Sequence, residues 1–477
     1  VSFLFDNVMV NIVVLAILFA LAVFLMRAEV KQKTVNIVAA ILIALSAAIG
    51  VWWVLSAKAT PNADSLAIIM SARELIAGDT SAMLGRLYFQ TYPFQTGYLL
   101  FAEAFLRLFG PENLTLFQLT NVLWVVLAEL GMLFLTSVLF QDKRILLLTA
   151  ILLGLCIQPM FLCTFLYGTL PGMSLAIWSI FFVTKSIRAQ KPVLLIPAAV
   201  LIACAILLKR NCFIVLIAEV IAILLNTIRA KKFLALVFAA VMVFAALGLP
   251  ALVQAHYERR TDASFGKGTP QLAWMVTGFR ESMFCSGWFN SYTSNVLKEN
   301  DFDSEKTLQQ NKADLMEQLI MFSHRPVYLA SFLYHKIVSQ WNEPAFQSIW
   351  SSAATSAERD ISDFTRSLST GKASDAINAY FNQLMQFVYA ALTIGLFFLL
   401  REKKERGEDR IVIPLILVGA VLYHALFEAK SQYAILYVPM MLPYAAFGVK
   451  KLSDRIFLRH DAKQEIHANT ADGGKEA

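Results

Sequence analysis

The sequence predicts an all-α protein that crosses a membrane many times. Hydrophobic residues make up 58% of the 477 residues and charged residues only 16%, whereas an average soluble domain carries about 25% charge. Mean hydropathy is +0.60, and several stretches approach the roughly 20 apolar residues that span a bilayer as a helix. Helices are expected because a segment in lipid has to satisfy its own backbone hydrogen bonds.

Charge and cysteine content argue against two other classes of protein. The net charge of +7 comes from short basic runs between apolar stretches, which indicates membrane topology rather than nucleic-acid binding. The five cysteines show no metal-ligand spacing, and Cys285 stands alone in a polar region, so no disulfide framework is expected. The first apolar segment is not followed by a small-residue cleavage site, so we expect it to remain as a helix.

Eleven spans are predicted, with the N-terminus outside and the C-terminus inside. This assignment brings every basic cluster, from Arg27 to the run Arg401–Arg410, to the cytoplasmic side, in agreement with the positive-inside rule. The predicted spans are Val8–Met26, Val35–Leu55, Leu114–Phe140, Ile145–Cys163, Leu175–Ile187, Val193–Leu208, Cys212–Ile228, Phe233–Val253, Ala379–Leu400, Ile411–Phe427 and Tyr433–Val449.

The segment Phe94–Phe109 is predicted not to cross the membrane. Its roughly 16 residues are short for a span. Glu103 and Arg107 lie four residues apart, as a surface pair on a helix does. We therefore expect an amphipathic helix on the outer leaflet.

The spans divide the chain into six regions. The two external regions are expected to carry juxtamembrane helices, and the tail after Arg459 is expected to be disordered. The regions are 1–55 (two N-terminal spans), 56–112 (first external loop), 113–253 (six-helix core), 254–378 (large external region), 379–449 (three C-terminal spans) and 450–477 (cytoplasmic tail).

Asp64 is the first candidate for chemistry, because it follows a span directly and faces the external side. A helix is predicted from this acid to Ala77, where Gly78 would end it. Asp64 could cap that helix, since Asp is favoured at the N-cap. It could also act as a general base that removes a proton from an acceptor hydroxyl.

The first external loop has a recognisable order of parts: an acid just past a span, a helix, a Tyr-Pro element, and an apolar helix that ends in Phe-Gly. This order resembles the first external loop of the GT-C glycosyltransferases, multi-spanning enzymes that use polyprenyl-phosphate or polyprenyl-diphosphate sugars. The loop is Asn62–Gly110, and its matching parts are Asp64, Ala72 with Gly78, Tyr92-Pro93 and Phe109-Gly110.

The C-terminal half extends the resemblance. The segment Glu428–Gly448, which contains Gln432 and Tyr433, is similar to the closing segment of bacterial members. Gly287–Asn290 and Gln340–Pro344 resemble the Gram-positive members in particular. The pieces are scattered over most of the chain, and their order makes the combination specific.

The resemblance implies a GT-C-like fold and a catalytic or metal-associated role for the loop acid, which is Asp64 here. Many members carry a second acid in the next external loop, where this chain has Thr169. A divalent metal held by paired carboxylates is therefore disfavoured, and base catalysis without a metal is expected.

Fixed positive charge is expected beside a departing phosphate. Lys209 and Arg210 fall at an outer turn, against the positive-inside trend. Their position there would be explained either by phosphate binding or by simple snorkelling of two helix-end side chains. Lys430 lies in another outer turn, and Arg73 on the loop helix could reach the same phosphate or snorkel. The other predicted substrate contacts are Tyr92, Gln432 and Tyr433.

Four tryptophans of the large external region could stack on sugar rings. Tryptophan is also common at membrane interfaces, and that interpretation is favoured for each one taken singly. The four are Trp274, Trp288, Trp341 and Trp350.

These expectations describe an inverting glycosyltransferase of the plasma membrane whose active site lies on the extracytoplasmic side. It would move a sugar from a polyprenyl-phosphate carrier to a cell-wall polysaccharide, a teichoic acid or a lipid-linked glycan, with Asp64 as general base. Three alternatives stay open: a multi-spanning lipid or glycan transporter, a glycan polymerase or ligase, and a non-enzymatic scaffold or receptor. A transporter predicts internal repeats with matched breaks in the spans, and the sequence gives no sign of them.

Overall fold

The computed structural model describes residues 7–472 except 82, 84–86, 357–359, 403, 404 and 406, and this part of the chain consists of helices and connecting turns, with no strand. The longer helices, in chain order, are α1 (Val8–Leu25), α2 (Gln32–Ala57), α3 (Ala63–Ala77), α4 (Thr96–Phe109), α5 (Leu114–Phe140), α6 (Lys143–Leu155), α7 (Thr169–Ala189), α8 (Leu195–Leu208), α9 (Phe213–Ala230), α10 (Leu234–Thr261), α11 (Gln271–Gly278), α12 (Tyr292–Glu299), α13 (Ser304–His324), α14 (Pro326–Trp341), α15 (Trp350–Ser356), α16 (Lys372–Arg401), α17 (Val412–Leu426) and α18 (Val438–Asp472).

Among the described residues, eight stretches are long and apolar enough to cross a membrane. They are α1, α2, α5, α7, α10, α16, α6 extended through its following turns to Thr164, and α9 extended back to Arg210. The helices α8 and α17 are apolar but shorter, and the eleventh predicted span falls on the start of α18. The all-α class is confirmed, and these are the helices of a multi-pass membrane protein; the count of eleven stays a prediction.

Close approach of two backbones holds α16 against α18. A methyl group at Gly395 would lie 2.2 Å from the Tyr444 carbonyl oxygen, and one at Gly448 would lie 2.1 Å from the Ala391 carbonyl oxygen. Helices in lipid gain little from the hydrophobic effect when they associate, so small residues that let backbones meet become a main source of packing. The two glycines therefore fix how closely the C-terminal helices pack.

Two acids inside predicted spans each have a serine partner on another helix. Ser46 Oγ donates to Glu129 Oε1 at 2.7 Å, and Ser179 Oγ donates to Glu219 Oε1 at 2.7 Å. A carboxyl group in the membrane interior requires such a polar neighbour, because lipid offers it none. The sequence alone does not identify these partners, since 83 and 40 residues separate the paired positions.

The segment predicted to lie on the outer leaflet forms α4, and the predicted pair exists, with Arg107 Nη2 2.7 Å from Glu103 Oε1. The expectation of a surface pair is wrong, however, because the Glu103 side chain is only 5% exposed. It also accepts hydrogen bonds from Tyr257 and Arg260, both at 2.7 Å. Burial raises the pKa of Glu103, but the three donors outweigh it and leave the pKa below its usual range. One face of α4 is thus buried against α3 and α10.

The C-terminal tail is helical as far as Asp472, where disorder was expected. Helix α18 continues past Arg459 to Asp472. The residues after Arg459 include Ala, Lys, Gln and Glu, which favour helix, and they extend a helix already formed within the bundle, which avoids the cost of nucleation. The prediction from composition was therefore wrong for this segment.

Candidate active site

Asp64 lies in the first turn of α3, the helix that follows α2 in the chain. The predicted helix is present, and Gly78 ends it with a left-handed backbone at φ 86°, which glycine adopts without strain. The N-cap position belongs to Asn62 rather than Asp64, so the capping interpretation of Asp64 is wrong. The carboxylate stays available, with the buried Tyr88 hydroxyl beside it. Burial raises the pKa of Asp64, whereas Lys430 and Lys209 lower it.

Two lysines from distant parts of the chain face this acid. Lys209 follows α8 and is 8% exposed, and Lys430 follows α17. The Lys209 ammonium lies 4.4 Å from the Tyr167 ring centre and 5.3 Å from that of Tyr433. Within the described part of the chain, neither lysine has a carboxylate oxygen within 4.0 Å. Their positive charge is therefore held by aromatic rings and long-range attraction, which leaves both ammonium groups able to bind an anion.

Tight packing fixes the position of Lys209. A methyl group at Gly97 would lie 2.0 Å from the Leu207 carbonyl oxygen, and one at Gly168 would lie 1.8 Å from the Leu208 carbonyl oxygen. The end of α8 is therefore in direct contact with α4 on one side and with the start of α7 on the other. Burial lowers the pKa of Lys209 to about 8, although Asp64 works in the opposite direction.

Glu428 is a second acid of this site, and the sequence analysis did not select it. It is 6% exposed, and its Oε1 accepts a hydrogen bond from the Tyr433 hydroxyl at 2.7 Å. Its backbone N–H donates to the Trp274 carbonyl at 2.9 Å, which joins the turn to α11. Burial raises the pKa of Glu428, and Lys430 lowers it. A charged residue two positions before Lys430, at the end of an apolar run, was the available signal.

Three of the other predicted substrate contacts lie in the site. Tyr433 and the buried Gln432 lie in the same turn as Lys430. Tyr92 belongs to the site as well, because burial together with Asp64 and Glu428 raises its pKa to about 12.

The two predicted arginines, Arg210 and Arg73, do not lie beside Asp64. Arg210 is an exposed residue, and its guanidinium lies 5.1 Å from the Phe94 ring centre, at the edge of the site rather than beside Asp64. Arg73 lies nine residues along α3 from Asp64, roughly 13 Å by helix rise. It bonds the Pro111 carbonyl and the Glu112 carboxylate, each at 2.8 Å. The structure therefore does not bring Arg73 to the site.

The interacting charged groups of the site include Asp64 and Glu428 as acids and Lys209 and Lys430 as cations. The described residues include no group of three or more His, Cys, Asp or Glu that could hold a metal ion. The arrangement can take a proton at Asp64 and neutralise an anion at the lysines, where the start of α3 lies close to the ends of α8 and α17.

No protein-family model matches the chain, and no curated protein matches it in sequence. The fold and the site define a class: an all-α, multi-pass membrane protein with a buried cluster of acids, lysines and tyrosines.

Proposed function

We propose that this protein is a GT-C-like membrane glycosyltransferase that takes its sugar from a polyprenyl-phosphate carrier, with Asp64 as general base. The observation that carries the proposal is the meeting of Asp64, Lys209 and Lys430, which come from three distant segments. A base beside two unpaired cations suits the transfer of a group from a phosphate to a hydroxyl, because proton removal and phosphate stabilisation are needed together.

The proposed step is an inverting displacement at the anomeric carbon of the donor sugar. Asp64 takes the proton of the acceptor hydroxyl as its oxygen forms the new bond to that carbon. The bond from the carbon to the phosphate oxygen breaks, and its electron pair leaves with the polyprenyl phosphate. Lys209 and Lys430 stabilise the negative charge that gathers there. A raised pKa makes Asp64 a stronger base than an exposed aspartate.

We place this chemistry on the extracytoplasmic side of the plasma membrane, with eleven spans. The basic clusters support that orientation through the positive-inside rule. The acceptor would be a cell-wall polysaccharide, a teichoic acid or a lipid-linked glycan, which are hydroxyl-rich and lie on that side.

The test measures release of polyprenyl phosphate by purified protein in lipid nanodiscs, supplied with a panel of polyprenyl-phosphate hexoses and methyl hexopyranosides as acceptors. We expect Asp64→Asn to lower kcat by about 10²- to 10⁴-fold, the usual contribution of a general base. Asp79→Asn is the matched control, since Asp79 is an exposed acid of the same loop whose carboxylate accepts hydrogen bonds from the Ser81 backbone and side chain.

Three outcomes would reject the proposal. Normal turnover by Asp64→Asn would show that Asp64 is not the general base. Transport of the labelled lipid into liposomes without any transfer would favour a transporter. Turnover only with diphosphate-linked glycans would favour a polymerase or ligase.

A further inference from the structure

Three aromatic rings from two distant segments form a continuous surface beside Asp64 and Glu428. Tyr92 and Phe94 come from the turn before α4, and Trp274 comes from α11. Ring centres are 6.2 Å apart for Tyr92 and Trp274, 6.0 Å for Phe94 and Trp274, and 6.1 Å for Tyr92 and Phe94. We call these three residues the aromatic patch.

The aromatic patch differs from the aromatic core that lies next to it. Tyr98 and Phe117, which pack nearby, are 1% and 0% exposed, whereas all three rings of the patch keep accessible surface. Packing alone does not require large rings to stay partly open between two loops. Apolar surface that remains open beside charged groups is typical of a ligand site, where a few polar groups orient a ligand held by apolar contacts.

Two of the other tryptophans considered from the sequence have different surroundings. Trp288 is 3% exposed, and its Nε1 donates to Ser339 at 2.9 Å. Trp341 packs against Tyr437, with ring centres 6.3 Å apart. Trp274 is therefore distinguished from them by its contacts with two other open rings next to the acids.

The aromatic patch borders the charged groups directly. The Trp274 carbonyl accepts the Glu428 N–H at 2.9 Å, and the Tyr92 hydroxyl lies 3.4 Å from Thr293 Oγ1. The Arg210 guanidinium lies 5.1 Å from the Phe94 ring centre. A ligand on the patch would thus have the Asp64 and Glu428 carboxylates near Tyr92 and the Arg210 guanidinium near Phe94.

We propose that the aromatic patch binds a pyranose ring by stacking, as a sugar subsite of the transferase proposed above, on which this inference rests. One face of a pyranose presents C–H groups with partial positive charge, and these complement the negative face of an aromatic ring. The equatorial hydroxyls then point sideways, where Glu428 and Arg210 can accept and donate hydrogen bonds. Either the donor sugar or an acceptor sugar supplies this chemistry.

Direct binding tests the patch without requiring turnover. Saturation-transfer NMR would detect methyl hexopyranosides on the protein in nanodiscs, with Trp274→Leu and the control Trp52→Leu. Trp52 is 37% exposed and contacts Trp53 and Phe364, away from the site. We expect wild type and Trp52→Leu to saturate the pyranose ring protons, and Trp274→Leu to weaken binding about tenfold. No signal in wild type, or equal signals in both variants, would overturn the proposal.

Kinetics with the same variants identifies which sugar is bound. Trp274→Leu should raise KM for the polyprenyl-phosphate hexose if the donor stacks there, and KM for the methyl hexopyranoside if the acceptor does. Trp274→Phe, which keeps an aromatic face, should restore most of the loss. Unchanged KM values for both substrates would reject the patch, while loss of turnover in Asp64→Asn would leave the proposed function standing. Binding of the pyranoside to the patch without any turnover would support the sugar subsite and reject the proposed transferase function.

Discussion

Raising the pH from 7 to 9 should weaken the binding of polyprenyl phosphate about tenfold, because Lys209 loses its proton over this interval. Its pKa falls to about 8, since burial disfavours the ammonium form. The groups that face Lys209 are Asp64 and Glu428, which raise its pKa, Cys212, which also raises it, and Lys430, which lowers it. A lysine exposed to water would stay charged until well above pH 9.

The magnitude follows from the protonated fraction of Lys209. With a pKa of about 8, roughly nine-tenths of the side chains carry a proton at pH 7 and roughly one-tenth at pH 9. If only the ammonium form binds the phosphate, affinity falls by nearly the same ratio. The ligand contributes no slope of its own, because the second pKa of a phosphate monoester lies near 6.

Titration of polyprenyl phosphate onto the protein in nanodiscs, at fixed ionic strength between pH 6 and 10, measures this profile. Lys209→Arg should keep its charge and lose the alkaline fall, whereas Lys209→Met should bind weakly at every pH up to 8. An unchanged wild-type Kd from pH 7 to 9, together with wild-type affinity in Lys209→Met, would refute the role of Lys209.

Three further changes test neighbouring parts of the account. Glu428→Gln removes a charge that raises the pKa of Lys209, so the alkaline fall in phosphate affinity should begin at lower pH, as the same titration would show. Glu103→Gln should destabilise the fold by about 2 to 3 kcal/mol, because it leaves two partly exposed guanidinium groups without their carboxylate, and thermal unfolding in detergent would show it. Gly97→Ala should lower both stability and phosphate affinity, because its methyl group would collide with the Leu207 carbonyl oxygen.

The Glu103 and Gly97 variants each have a matched control. Glu112→Gln should change the free energy of unfolding by less than about 1 kcal/mol, because Glu112 is 83% exposed in its pair with Arg73. Gly248→Ala should be tolerated, since a methyl group there meets nothing within 4 Å. If a variant and its control lost the same stability, then burial of the carboxylate or close packing at the glycine would not be the cause of the loss. If Glu428→Gln and wild type had the same pH profile of phosphate affinity, Glu428 would not influence the pKa of Lys209.

The sequence predicts well those features that depend on neighbouring residues. Composition is enough for the all-α membrane class, and the helix Ala63–Ala77 with its stop at Gly78 follows from local rules. The order of residues around Asp64 and in the turn that contains Lys430 directs attention to two segments that the fold brings together.

Features set by tertiary packing were not predictable in the same way. Lys209 and Arg210 are neighbours in sequence, yet one faces Asp64 and the other lies over Phe94, because the tight end of α8 determines which side each faces. Glu428 was missed because its role depends on tertiary structure. Its side chain is buried, and its backbone bonds to Trp274 in α11, which is over a hundred residues away in the sequence. Glu103 was expected at the surface because spacing alone cannot reveal that Tyr257 and Arg260 cover it.

The most direct test of the central claim is a cryo-EM structure of the protein in a nanodisc with polyprenyl phosphate bound. We expect density for the phosphate within about 4 Å of both the Lys209 and Lys430 ammonium groups, next to Asp64 and outside the cytoplasmic face. Phosphate density on the cytoplasmic side, or bound at the outer side with Lys209 and Lys430 unoccupied, would contradict it.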